Sequence, residues 1–304
     1  MILTVETHAL GRRFGRTEAV RDLNLTVARG SIYGLVGPNG AGKTTTLRML
    51  VNLIRPTSGH ASVLGKDSRR LQDRDLRRIG YVGDPSTLPR WMSVGRLIAH
   101  CRPLYPEWDD AFCGRLLARF HLPVERKVGR LSRGERVKLA LLLSLAFRPE
   151  LLVLDEPFSG LDPLVREELS QGALELAIEG DWSVLIASHD IAEIERLADH
   201  VGYLDEGTLV FSEPLAELQE RYRAVEAMLP GTDEPDGSYP ESWLDVERAG
   251  RIMRFVDRAY DRDKTSHDLR RMFPGIQEHT ASAVPLQRVF LAHARESRRK
   301  AAQR

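Results

Sequence analysis

The segment GPNGAGKT, residues 37–44, has the spacing of a loop that wraps phosphate. Its glycines let the backbone curl so that successive N–H groups aim at phosphate oxygens. A helix starting at the end of the loop adds the positive end of its dipole to the same anion. In the pattern G-x-x-x-x-G-K-[ST], Gly37, Gly42, Lys43 and Thr44 hold the fixed places; Pro38, Asn39, Gly40 and Ala41 lie between, and Thr45 follows. Lys43 would neutralise phosphate charge, and the Thr44 hydroxyl is a hard oxygen suited to Mg²⁺. A second candidate is LLVLDEP, residues 151–157, an apolar run ending in two acids. Asp155 would hold Mg²⁺, and Glu156 is placed to orient or deprotonate an attacking water. Alone, two such acids are equally a solvated strand exit. Beside the phosphate loop they complete a phosphoryl-transfer set.

The elements that must position these residues read as an α/β core. Residues 2–6 (ILTVE) and 23–27 (LNLTV) are expected strands, and the compact apolar runs IYGLV (32–36), LLVLD (151–155) and VLIAS (184–188) are expected buried strands. TTTLRMLVNLI after the loop has a helical pattern. Residues 85–148 are helix-rich, with GRLIAHCRPLY and WDDAFCGRLLARF as the clearest segments, and read as an inserted helical subdomain. Carboxylates just past a buried strand lie at the carboxyl edge of the sheet, where open α/β folds bind ligands. After about residue 215 the composition changes. Strand-like YRAVEAML, a loop at 230–242 (PGTDEPDGSYPES), a hairpin turning near Gly250, a short helix at DLRRMF, a strand near 276–282 and a last helix from Pro285 make a small α+β domain over 216–304. On that last helix Leu286, Val289, Phe290 and His293 share one face.

Bulk properties narrow the function classes. The 304 residues carry 44 Lys and Arg against 43 Asp and Glu, a near-neutral balance that gives no long-range pull toward nucleic acid. Cys101 and Cys113 fit neither a disulfide framework nor a metal-ligand spacing, which points to a reducing compartment. The N-terminus lacks a signal peptide's unbroken apolar stretch, and LALLLSLAF (139–147) is too short to span a bilayer.

Further segments make the chain resemble the ATP-binding-cassette (ABC) ATPases. LSRGE (131–135) resembles the signature motif LSGGQ, departing at Arg133 and Glu135 but keeping Ser132 and Gly134. SGLDP (159–163) resembles the D-loop, and His189 the switch histidine that contacts the γ-phosphate. Phe14, before Gly15, takes the place of the aromatic that stacks on adenine. IGYVGDPSTLPRWMSV (79–94) resembles the Q-loop region, with Asp84 where the family usually has Gln; Asp84 then either takes over a metal contact or alters coupling to the helical subdomain. The resemblance covers about 1–215 and implies a P-loop NTPase core of mixed sheet with flanking helices, a cassette at 1–215 and an accessory domain at 216–304.

It implies ATP and Mg²⁺ as ligands, with Lys43, Glu156 and His189 catalytic, and Ser132 and Gly134 contacting the ATP held by the loop of a second ATPase subunit. Whether that pair is a homodimer or a heterodimer stays open. LSRGE is also a capping box, Ser132 at N-cap and Glu135 at N3, and both readings can hold together. The implied partner is a separate integral-membrane permease, which would place the chain at the cytoplasmic face of the membrane; nucleic acid is not expected. STLPRWMSV (86–94) offers Leu88, Trp91 and Met92 as permease anchors, or Trp91 packs in the subdomain core. The ending PLQRVFLAHAR is similar to the closing helix of drug, lipid and polysaccharide exporter ATPases, which favours export, and the basic tail (Arg295, Arg298, Arg299, Lys300) lies near anionic lipid or is a solvated helix end. The alternatives are a soluble cassette ATPase acting on ribosomes or nucleic acid, and a slow-turnover regulatory cassette. The first usually carries two cassettes or a long coiled coil, and the second usually lacks the base that Glu156 supplies.

Overall fold

The computed structural model describes residues 2–302 except 168, 170, 171, 173–181, 232–234, 236, 237 and 277, with side chains described as far as Glu296. The chain divides into two compact units, Met1–Ser212 and Glu213–Arg304.

The centre of the first unit is a six-stranded sheet in the order Thr208–Pro214, His200–Asp205, Ile32–Val36, Ser183–Ser188, Leu151–Asp155, Ile79–Val82. The last five of these pair in parallel. Ile32–Val36, Leu151–Asp155 and Ser183–Ser188 are buried along their whole length, which is why they read as unbroken apolar runs rather than alternating ones. The edge strand Thr208–Pro214 joins its neighbour through Glu206 and Gly207, both at positive φ (45° and 80°), the geometry of a two-residue hairpin turn. Register decides the rest. Val36 lies beside Ser188, Asp155 beside Ala187, and Val82 beside Leu154. The chain therefore leaves four neighbouring strands at one carboxyl edge, and the phosphate loop, Glu156, His189 and Asp84 all follow within two residues of those strand ends.

A second, five-stranded sheet holds Thr17–Leu23, Leu3–Phe14, Ser58–Val63 and Lys66–Asp67 in that order, with Thr26–Ala28 also on the long strand. Here the structure corrects two expectations. The first strand runs Leu3–Phe14 rather than stopping at residue 6, and so carries Phe14 at its tip. Residues 23–27 are not one strand. Asp22 turns to φ 46°, and the Asn24 side chain bonds the Asp22 carbonyl and the Ala9 amide, so local side-chain bonding replaces the ladder there. Helix Lys43–Leu50 is also shorter than its pattern predicts, because Asn52 at φ 60° closes it.

The insert contains helices Val94–Cys101, Asp110–Arg119 and Arg133–Leu145. Each has a side-chain N-cap: Ser93 accepts from the Arg96 amide at 3.3 Å, Asp109 from Phe112 at 2.8 Å, and Ser132 from Glu135 at 3.1 Å. Such caps contribute roughly 1 kcal/mol apiece.

The second unit is a four-stranded antiparallel sheet in the order Trp243–Ala249, Ile252–Asp257, Arg223–Met228, His279–Ala283, with helices Leu215–Arg221, Arg262–Met272 and Leu286–Ala302. Its core stacks Trp243 on Phe255, ring centres 4.1 Å apart, against Leu269, Met272 and Phe273. Leu286, Val289, Phe290 and His293 are buried as one face of the last helix. Arg295 pairs with Asp245 and Glu247. The side chains of Arg298, Arg299 and Lys300, and part of the 230–242 loop, lie outside the described residues.

Candidate functional site

The loop at 37–44 owes its path to contacts that only glycine permits. Gly42 sits at φ 103°, and a Cβ there would stand 2.3 Å from the Ala19 carbonyl oxygen. A Cβ on Gly37 would meet the Leu204 oxygen at 2.1 Å. Gly40, at φ 85°, has open space around it and needs glycine for conformation alone. The loop closes on itself through the Ala41 amide to the Pro38 carbonyl, 3.2 Å, and is tied to the hairpin turn by the Gly207 amide to the Ala41 carbonyl, 3.1 Å. Pro38, Asn39 and Gly40 are exposed at the tip, while Lys43, Thr44 and Thr45 form the first turn of the helix behind it.

Lys43 is 5% exposed. Its ammonium donates to the Gly37 carbonyl at 2.7 Å and the Pro38 carbonyl at 3.1 Å, and lies 3.1 Å from Glu156 Oε1. The other Glu156 oxygen is 2.6 Å from His189 Nδ1. Glu156 itself takes φ 51°, with its amide bonded to the Ala187 carbonyl at 3.0 Å, and this turn brings its side chain back toward the loop. Lys43, Glu156 and His189, expected from 113 and 33 residues' separation in sequence, thus form one connected set. Thr44 Oγ1 donates to Asp155 Oδ1 at 2.7 Å. These are two hard oxygens in contact beside a buried lysine, a donor set that fits Mg²⁺ with a bound phosphate.

Asp84 is not joined to them. Its carboxylate accepts from the Ser86 amide at 2.9 Å and the Ser86 hydroxyl at 2.8 Å, capping the short helical turn Pro85–Thr87, and these bonds hold it below the usual carboxylate range. Among the described residues no three carboxylate, histidine or cysteine groups converge as a metal cluster. Phe14 is 46% exposed at its strand tip, with the Arg12 guanidinium 4.4 Å over its ring.

In the LSRGE segment the capping box is present: the Ser132 hydroxyl accepts from the Glu135 amide, and the Glu135 carboxylate accepts from the Ser132 amide at 2.7 Å. Gly134 packs so close that a Cβ would reach Val165 at 2.8 Å, and the Arg133 guanidinium lies against Gly160 of SGLDP.

Two residues that the sequence reading passed over lie against this site. Tyr81 donates its hydroxyl to Asp155 Oδ2 at 3.2 Å, and Glu193 is buried just behind His189. Tyr81 carries no motif signal, although its place on a strand ending beside LLVLD marks it as a neighbour of Asp155. Glu193 offers a weaker hint, as an acid on the inward face of an amphipathic helix.

A groove of about 680 Å³ opens between the edge strand Ile79–Val82 and the inserted helices, lined by Leu53, Tyr81, Asp84, Leu88, Tyr105 and Phe147 among others. Trp91 is 70% exposed, so it is not part of the subdomain core.

Comparison with known proteins agrees with this geometry. A family model described as ABC transporter matches residues 20–159, and one described as an AAA domain, putative AbiEii toxin of a Type IV TA system, matches 124–195. The bacitracin transport ATP-binding protein BcrA of Bacillus licheniformis is 37% identical over 226 residues, 73% of this chain and 74% of that protein. The ABC transporter ATP-binding protein YtrB of Bacillus subtilis (strain 168) is 30% identical over 288 residues, 95% of this chain and 97% of its own. A solved ATP-binding subunit of an ABC transporter superposes with TM-score 0.64 at 25% identity, covering 71% of this chain and 92% of that one. The chain therefore belongs to the ATP-binding proteins of ABC transporters, P-loop ATPases that act together with a membrane permease.

Proposed function

We propose that this ATPase drives export through a separate permease, and that hydrolysis is carried by Lys43, Thr44, Asp155, Glu156 and His189. The observation that carries the assignment is the connected set in which one carboxylate, Glu156, meets both the Lys43 ammonium and the His189 ring. Lys43 and the loop amides of residues 39–45 bind the β- and γ-phosphates of ATP. Thr44 and Asp155 would hold Mg²⁺, which when bound spreads the charge of those phosphates. Glu156 orients a water against the γ-phosphorus and takes its proton. His189 holds Glu156 on one side and faces the γ-phosphate on the other. Phe14 offers its exposed ring to adenine. Ser132 and Gly134, at the N-terminus of the 13-residue helix Arg133–Leu145, supply anion donors to ATP held by a second ATPase subunit.

The groove beside Ile79–Val82 is the docking place we propose for a cytoplasmic helix of the permease. Its wall includes Leu88 and Tyr81, exposed Trp91 follows Leu88 by three residues, and Tyr81 reaches Asp155, so a partner seated there touches a residue bonded to the nucleotide site. Asp84 lies on the same wall as a cap, which favours a role in coupling over a role in metal binding. Export is supported by the likeness of PLQRVFLAHAR to the closing helix of drug, lipid and polysaccharide exporter ATPases. The unit at 213–304 acts as the accessory domain, and the chain sits on the cytoplasmic face of the membrane.

Extraction of membranes in mild detergent with a C-terminal tag should recover a polytopic membrane protein with the chain, and inverted vesicles containing the pair should accumulate cargo on ATP addition. Recovery with ribosomes or nucleic acid and no membrane protein defeats the transporter reading. Charge reversal at exposed Arg90, or Trp91→Ala, should weaken permease recovery by about tenfold, the effect of losing an interface anchor worth ~1.4 kcal/mol, while leaving nucleotide binding alone. Unchanged recovery in both variants removes the segment from the interface.

A further inference from the structure

We propose that Glu193 is a positioning residue for hydrolysis, a buried carboxyl that clamps Ser188 and through it the backbone carrying His189. Glu193 is 3% exposed, in the first turn of the helix Ile191–Leu197. The Ser188 hydroxyl donates to Glu193 Oε2 at 3.1 Å and accepts from the Asp190 amide at 3.0 Å, so both of its bonding directions are set. Residues 188 and 190 are held in this way on either side of His189, whose ring is 2.6 Å from Glu156. The second oxygen, Oε1, is buried with no hydrogen-bond partner among the described residues. An ionised carboxylate would not leave an oxygen so placed, whereas a protonated one tolerates it.

Burial and two neighbouring carboxylates act in the same sense. Burial, chiefly, moves Glu193 up to about 7, and Asp190 and Glu156 add to the rise; the Ser188 bond and Arg166 oppose it. Arg166 is itself ion-paired with Asp190. The strand Ile32–Val36, against which the helix packs, turns Gly34 to Ile194 and presents no charged side chain; its one titratable group, the Tyr33 phenol, is buried and bonded to Ser212. Because the folded-state value lies above the ordinary one, ionisation is opposed by the fold, and the opposition is complete above about pH 7. Ionised, Glu193 still accepts from Ser188 but adds a negative charge behind Asp190 and Glu156, repelling the carboxylate that meets His189.

The inference rests on the reading that Glu156 and His189 serve hydrolysis, which Glu156→Gln tests separately. With the full chain, kcat should fall as pH rises through about 7, by up to ~tenfold per unit if only the protonated form is competent. Glu193→Gln, which keeps the neutral shape, should hold within about twofold of wild type on the acid side and lose that alkaline fall. An identical alkaline limb in the variant overturns the proposal. Infrared spectroscopy supplies a readout independent of turnover: a buried carboxylic-acid band titrating near pH 7 in wild type, absent in Glu193→Gln. Its absence from wild type overturns the proposal as well. Should Glu193→Gln fail to fold, Ser188→Ala tests the same link, with kcat expected to drop at least about fivefold and nucleotide affinity to stay unchanged; an unchanged kcat refutes the clamp.

Discussion

Glu156→Gln should reduce ATP turnover by about 10²–10⁴-fold while leaving nucleotide affinity intact or improved. The geometry separates the two effects. Glu156 contributes no donor to phosphate; its oxygens face Lys43 at 3.1 Å and His189 at 2.6 Å. Gln keeps the size and the positive-φ turn that aims the side chain, but it cannot accept the water's proton. It also removes a negative charge from beside Lys43, so the ammonium faces phosphate with less competition. Steady-state phosphate release and titration with a fluorescent ATP analogue measure the two quantities on one preparation. Turnover within about threefold of wild type would mean another group takes the proton, and would remove Glu156 from the assignment.

Gly42→Ala should abolish nucleotide binding, and Gly40→Ala should only weaken it. Both glycines have positive φ, 103° and 85°, so each alanine meets backbone strain of roughly 1–2 kcal/mol. Gly42 adds a collision, since the new Cβ would stand 2.3 Å from the Ala19 carbonyl oxygen, a backbone atom that cannot swing aside. Relief requires moving the loop by about 1 Å, which misdirects the amides and Lys43 together and costs on the order of 10²-fold or more. At Gly40 no atom of the described residues stands within 4 Å, so the expected loss is only about tenfold. Calorimetric titration with ATP, alongside thermal unfolding to show that both variants keep the fold, orders the pair. A larger loss at Gly40 than at Gly42 would contradict this account of the loop.

Local chemistry made much of the site legible in advance. The phosphate loop needs its residues in consecutive order, so GPNGAGKT announces itself, and an unbroken apolar run ending in two acids reads as a central strand delivering carboxylates to an edge. LSRGE announced its capping box for the same reason, because the partners are three residues apart. Less local features are harder to read. LNLTV looked like a strand, but Asn24 satisfies backbone groups from its own side chain. Asp84 reads by its place in the Q-loop region as a metal contact or a coupling residue, and in the fold its carboxylate is engaged two residues away by Ser86. Trp91 could be core or surface by its type, and only the surrounding packing leaves it 70% exposed.

What the amino-acid sequence determined by itself was the family, the parallel α/β core and the identities of the phosphate-loop and strand-end residues, since each depends on neighbours within a few positions. What the tertiary structure alone decided was which side chains meet. Parallel register sets Asp155 beside Ala187 and Ser188 beside Val36, and that alignment brings Glu156 to Lys43 and His189, Tyr81 to Asp155, and Glu193 beneath Ser188. Such contacts cross 33 to 113 residues of chain in three of these cases, where no local pattern records distance, and burial gives Glu193 its character only once the sheet and helix close around it.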